Sequence, residues 1–203
     1  MFLYIRFINK SFSWRGMKLT LLELRRQLLH MFFGLFLVAM LYFEIFNLYW
    51  MVGILGAGVI LSELCKRGRV PLASWVMDHF ERDENRKAFP GRGPIFFMIG
   101  SIIVLWLFSK DVALASMVIL AVGDAVSHIF GKLLSKKKYK YLKSVKGTLI
   151  GVGCGILGAF IFVSIIPAVV GGAVSMLFEG LDLGLEDNLY IPIVAAIAIS
   201  LVI

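Results

Sequence analysis

Twenty of the 21 lysines and arginines in this 203-residue chain stand in three bunches: six up to Arg26, seven from Lys66 to Arg92, and seven from Lys132 to Lys146. Only Lys110 stands apart. The stretches between the bunches are apolar and approach the roughly 20 residues a helix needs to cross a hydrocarbon layer. Inside lipid only helices and closed barrels satisfy every backbone polar group, and the in-out alternation of barrel strands is missing here. With 60% of residues hydrophobic and 17% charged, the sequence predicts one all-α domain over residues 1–203, a polytopic transmembrane helix bundle.

Seven apolar segments are expected, at about Leu28–Phe46, Leu48–Leu64, Ile95–Ser109, Val112–Leu134, Thr148–Pro167, Ala168–Leu183 and Leu189–Ile203. The sixth is broken by Gly171-Gly172, and the seventh is short for a full span. A six-span alternative leaves Glu179, Asp182, Glu186 and Asp187 in an external loop, but it needs one crossing of roughly 30 residues containing Pro167. The asymmetry of twenty basic residues against one puts the three bunches on the cytoplasmic side of the cell membrane and Lys110-Asp111 opposite. The same rule accounts for the formal charge of +8, so a nucleic-acid partner is not expected. Residues 1–22 read as a basic interfacial segment, with Met17 as an alternative start and no cleaved signal peptide.

Other local signals are structural. Pro71 opens an amphipathic helix in the loop after span two, with Leu72, Trp75, Val76, His79 and Phe80 on one side, and Pro90-Gly-Arg-Gly-Pro94 breaks it. Gly53, Gly56 and Gly58 permit close helix contact, and Gly147, Gly151 and Gly155 form a small-residue stripe. Cys65 and Cys154 have neither disulfide nor zinc spacing. Oligomeric state has no sequence signal.

The chemistry concentrates between Gly123 and Thr148. On a helix Asp124, His128 and Gly131 share one face, and seven lysines follow without an acid. A carboxylate inside an apolar segment, delivered into a basic, glycine-closed loop, suits a metal-bound polyphosphate at a membrane surface. The amides of Gly147 and Thr148, at a helix start, offer donors to a phosphate, although no Walker A loop occurs. Farther upstream Glu23, Arg26, Gln27, His30 and Gly34 make one polar stripe that should face protein.

Gly123-Asp124, Gly131 seven residues after the Asp, and Lys143-Ser-Val-Lys-Gly-Thr148 together resemble the CTP-dependent lipid kinases: dolichol kinase, phytol kinase and the CTP-using diacylglycerol kinase. Glu23 to His30 is similar to that family's first-helix signature, although Arg25-Arg26 then Gln27 stands where an Arg-Lys pair is usual. Phe80 to Glu84 looks like its middle loop, making Arg82 and Glu84 candidates, and Glu179 with Asp187-Asn188 and Pro192 looks like its C-terminal motif. The resemblance implies a kinase that moves the terminal phosphate of CTP to a lipid alcohol, foremost a polyprenol such as dolichol. Asp124, Arg26 and His30 are then catalytic, and Mg²⁺ is held by Asp124 with Glu179 or Asp187. Lys143, Ser144, Lys146, Gly147, Thr148, Gly131 and Asn188 serve the nucleotide. The preference for CTP comes from the resemblance alone. Two other readings stand beside it: a phosphatidate cytidylyltransferase-like CDP-lipid synthase, whose usual signature is not visible here, and a non-enzymatic lipid-binding or transport protein, for which no internal repeat is found.

Overall fold

A computed structural model of the chain describes residues 19–68, 70–134, 143–181 and 183–203. The basic N-terminal segment, Asp182, most of the lysine run and the side chain of Glu84 lie outside the described residues. Helix α1 (Leu21–Tyr42) begins at Leu21 rather than Leu28 because Thr20 caps it, its Oγ1 accepting from the Glu23 amide at 3.2 Å. The whole polar stripe therefore lies on the helix. Asn47 caps α2 (Leu48–Lys66) in the same way. Pro71 opens α3 (Pro71–Phe80) at its first position, as expected, and a short α4 (Asp83–Ala88) follows.

Pro94, expected in the break before span three, and Pro167, expected at the end of span five, each stand in the first turn of a helix. Gly91, in the left-handed region at φ 75°, precedes α5 (Arg92–Leu107), so Pro94 sits in the first turn of that helix. The segment expected to run from Thr148 to Pro167 divides between two helices, Val145–Ala159 and Ile165–Gly180, with Pro167 in the first turn of the second. In both places the missing amide is one that a helix start leaves unpaired anyway.

The centre of the bundle is a continuous 25-residue helix made of α6 (Lys110–Val118), a π-helical segment (Ile119–Asp124) and α7 (Ala125–Leu134). Its apolar window is 78% buried, against 11% for α2. Packed around it are α1, α5, α8 (Val145–Ala159), α9 (Ile165–Gly180) and α10 (Asp187–Ser200), while α2 lies outside, on α5. Gly171 and Gly172 do not interrupt α9. They face Ile199 of α10 and Ile156 of α8, where a Cβ has no room. By contrast Gly53, Gly56 and Gly58 of α2 have nothing within 4 Å of a Cβ, so the close contact expected there is absent among the described residues.

Among the described residues three helices, α1, α2 and the central one, are long and apolar enough to cross a membrane, and α5, α8, α9 and α10 are shorter apolar helices. Large apolar side chains face outward around the bundle, including Phe32, Tyr49, Trp106, Leu157 and Ile161. The chain is an all-α helical membrane bundle. At one end, the turn after α1 meets the start of α6, where Lys110 Nζ lies 2.8 Å from Glu44 Oε1. This salt bridge holds the exposed Glu44 carboxyl below its ordinary range. At the other end lie the start of α1, the end of α7 and the starts of α5, α8 and α10, and the charged residues gather there.

Candidate active site

Asp124 closes the π segment in the most buried helix and is itself buried. Such wide turns recur at functional sites because they re-aim side chains within a packed helix. From Asp124 onward the helix is regular, so His128 stands one turn away, with Nε2 3.3 Å from Asp124 Oδ1. From α1, His30 brings Nε2 to 3.8 Å from Asp124 Oδ2. Gly34, one turn farther along, makes this approach possible, since a Cβ there would fall 2.5 Å from Ala121 Cβ.

Two acids from the C-terminal helices complete the group. His128 Nε2 is 3.8 Å from Glu179 Oε1 and 3.7 Å from Asp187 Oδ2. Ser127 Oγ donates to Glu179 Oε2 at 2.8 Å, and Tyr190 donates to Asp187 Oδ1 at 2.9 Å. Lys143 Nζ lies 2.7 Å from Asp187 Oδ2 and 3.7 Å from Glu179 Oε1. Burial alone pulls the Lys143 ammonium down, but Asp187, Glu179 and Asp124 outweigh it and raise its pKa above the ordinary lysine value. Its own amide is fixed too, donating to Gly180 O at 2.9 Å.

These carboxylates fit a divalent cation. Asp124, His128 and Asp187 each offer a ligand atom, all within 4.8 Å of one another. Asp124 Oδ1 and Glu179 Oε1 are buried and, among the described residues, meet only the ion-pair contacts with His128 and Lys143 at 3.3 to 3.8 Å, which leaves both oxygens able to take a cation. Oxygen-rich ligation suits a hard divalent cation, with the imidazole of His128 the one softer donor.

Above this centre opens a cavity of about 500 Å³. Its charged wall includes Arg26, Arg82, Arg92, Lys143, Asp124 and Asp187. Glu23, buried on α1, organises part of it: its carboxylate lies 2.6 Å from Arg26, 3.0 Å from Arg82 and 3.1 Å from Lys132. Glu81 accepts the Gly91 amide on both oxygens at 3.0 Å, tying the end of α3 to the turn before α5. Burial pushes the Glu81 carboxyl above its ordinary range despite the Gly91 and Arg92 amides. Arg92 pairs with Glu186, and Asn188 Nδ2 donates to Gly93 O at 3.0 Å.

Of the residues expected in a site, Arg26, His30, Asp124, Lys143, Asp187 and Asn188 line this cavity, and Glu179 stands behind His128. Gly131, Ser144 and Gly147 lie instead at the α7–α8 contact, and Thr148 packs on Gly180 of α9. A Cβ on Gly147 would fall 2.6 Å from Gly131 Cα. The Gly147 amide donates to Ser144 Oγ and the Thr148 amide to Ser144 O, so both are already engaged in starting α8. Lys146 is exposed and makes no ion pair among the described residues. Sequence reasoning passed over Ser127, Tyr190, Arg92 and Glu186. Tyr190, three residues after Asp187 on one helix face, carried a usable signal; the other three meet partners far away in sequence.

The chain is 29% identical over 188 residues to an uncharacterised protein of Methanocaldococcus jannaschii, covering 88% of this chain and 93% of that one. It is also similar to two proteins called CTP-dependent diacylglycerol kinase 1. The one from Schizosaccharomyces pombe is 28% identical over 147 residues, 63% of this chain and 66% of the kinase. The one from Eremothecium gossypii is 27% identical over 140 residues, 55% of this chain and 44% of the kinase. The match thus spans less than two thirds of either kinase. No family profile and no solved structure matches the chain.

Proposed function

We propose that this chain is a CTP-dependent lipid kinase, transferring the terminal phosphate of CTP to the hydroxyl of a membrane lipid alcohol. The observation that carries the reading is the Asp124, His128, Asp187 and Lys143 group at the base of a cavity with an arginine-lined rim. Phosphoryl transfer asks a protein mainly for positioning and charge neutralisation, and this arrangement supplies both. The names of the two kinase relatives make a diacylglycerol the first acceptor to test, ahead of the polyprenol expected from sequence.

In this reading Asp124, with Asp187 and Glu179, holds Mg²⁺, which when bound neutralises phosphate charge. Lys143, Arg92 and Arg82 bind the triphosphate, with Lys146 approaching from the exposed side. Arg26 faces the transferring group, held in place by Glu23. Asn188, fixed to Gly93, places the nucleotide. Ser144, Gly131, Gly147 and Thr148 serve the phosphates indirectly, by setting where Lys143 enters α8. His30 Nε2, buried and without a hydrogen bond among the described residues, receives the hydroxyl proton. The lipid oxygen bonds to the γ-phosphorus, the bond from that phosphorus to the β-bridging oxygen breaks, and CDP leaves. The bunched basic residues support a cytoplasmic face for this end, in a reading with seven crossing helices.

Product analysis tests the reaction. Purified protein in vesicles with CTP and diacylglycerol should yield a lipid monophosphate and CDP. A CDP-lipid with pyrophosphate, formed from phosphatidate, would establish the cytidylyltransferase alternative instead. Excess unlabelled CTP should suppress transfer far better than ATP, and equal suppression removes the nucleotide assignment.

A further inference from the structure

The cavity has an apolar half that phosphoryl transfer does not use. Beyond Arg26 and His30 its wall continues along α1 through Leu29 and Phe33, and faces Val76 and Phe80 of α3. Leu29 and Phe33 each follow one of those polar residues at a spacing of three, so this wall is the same α1 face continued toward the middle of the bundle. Leu29 and Val76 line the cavity and yet are 39% and 37% exposed. Side chains that do both mark an opening. It lies at the seam between α1 and α3. Helix α3 buries none of its residues, and Leu72 and Trp75, on the same apolar face as Val76 and Phe80, are 75% and 54% exposed. An opening flanked by such side chains, on a bundle girdled by apolar ones, faces hydrocarbon rather than water.

Resting on the lipid-kinase reading, we propose that the lipid acceptor enters sideways from the bilayer through the α1–α3 seam. Its hydroxyl end reaches His30 and Asp124, and its hydrocarbon lies on Leu29, Phe33, Val76 and Phe80 before trailing out into the membrane. The nucleotide takes the charged rim. A cavity of about 500 Å³ falls within the ~300–1,000 Å³ usual for a single small ligand, too little for a nucleotide and a whole two-chain lipid together. Only the part of the lipid adjoining the hydroxyl is enclosed, so the site selects on that part and is indifferent to chain length.

The test is photolabelling of the full chain in phosphatidylcholine vesicles with a diacylglycerol carrying a diazirine near the glycerol end of one acyl chain. Label is expected on peptides containing Leu29 to Phe33 and Val76 to Phe80, suppressed by plain diacylglycerol and not by extra phosphatidylcholine. Label confined to the outer faces of α2 and the other helices, or equal from a diazirine-bearing phosphatidylcholine, overturns the seam even if the lipid is phosphorylated. Seam labelling without phosphoryl transfer supports the seam and removes the kinase reading. Leu29→Trp and Val76→Trp, which narrow the opening, should each raise KM for diacylglycerol about tenfold and leave KM for CTP unchanged; equal KM shifts for both substrates count against it.

Discussion

Gly147→Ala should damage both stability and activity, while Gly153→Ala, less than two turns away on the same helix, should damage neither. A Cβ at position 147 would fall 2.6 Å from Gly131 Cα and 2.7 Å from Gly131 N, and closer still to the Ser127 carbonyl oxygen. Ordinary contact begins at 3.4 Å, so the approach to the Ser127 carbonyl oxygen forces α8 to retreat from α7 by about 1 Å. All three neighbours are backbone, so no side-chain rotation relieves the clash. Overpacking of this kind costs about 1–3 kcal/mol, and backbone partners put it at the upper end. The retreat also carries Lys143 away from Asp187, and a shift near 1 Å at reacting groups can cost about 100-fold in rate. At Gly153 a Cβ meets nothing within 4 Å, and the change should be neutral or stabilising by up to about 1 kcal/mol. Melting curves and CTP-dependent lipid phosphorylation, run in parallel on both variants, provide the assay. If Gly147→Ala melts with Gly153→Ala and keeps full activity, the close α7–α8 packing does not set the site.

Glu23→Gln leaves Arg26, Arg82 and Lys132 without their shared counter-charge, and should lower stability by about 2–3 kcal/mol in denaturant melts, below the fully buried range because Arg82 and Lys132 keep access to water. Lys143→Met should raise KM for CTP more than tenfold. Because the Lys143 pKa is raised on folding, its stabilising contribution is complete below the ordinary lysine range and fades only as pH climbs through the higher folded value. The melting difference between wild type and Lys143→Met should therefore stay constant between about pH 7 and 9, below the ordinary lysine value. Glu81→Gln should be tolerated, because its carboxyl is pushed toward the neutral form and an amide oxygen still accepts from Gly91; Glu81→Ala should loosen the α3–α5 link, seen as faster proteolysis near Phe89.

Apolar run length was enough to find the helices, since nothing but a helix pairs its backbone within a run of that composition. It was not enough to place their ends. The Thr20 hydroxyl extends α1 to take in Glu23 and Arg26, and Pro94 and Pro167 start helices because their neighbours Gly91 and Ser164 supply the entry geometry. The Asp124–His128 pair was legible from spacing alone. The π segment that ends at Asp124 leaves no periodic mark in so uniformly apolar a stretch, and nothing local says that Glu179 and Asp187 return to His128. Their approach was suggested only by the interrupted apolar run and the resemblance. The glycines divide the same way: in Gly147 and Gly53 alike the sequence shows a small residue on an apolar helix, and only the neighbouring helix decides whether the space is filled.

The most direct measurement compares wild type with Asp124→Asn in vesicles, following phosphate from CTP labelled at the terminal position into diacylglycerol, with a melting curve taken on each protein. The substitution keeps the size of a buried side chain and removes the charge that would hold the cation. The account expects label in the lipid from wild type, loss of transfer by orders of magnitude in Asp124→Asn, and melting of the variant close to wild type. Undiminished transfer by well-folded Asp124→Asn, or no transfer by wild type to any lipid alcohol, contradicts it.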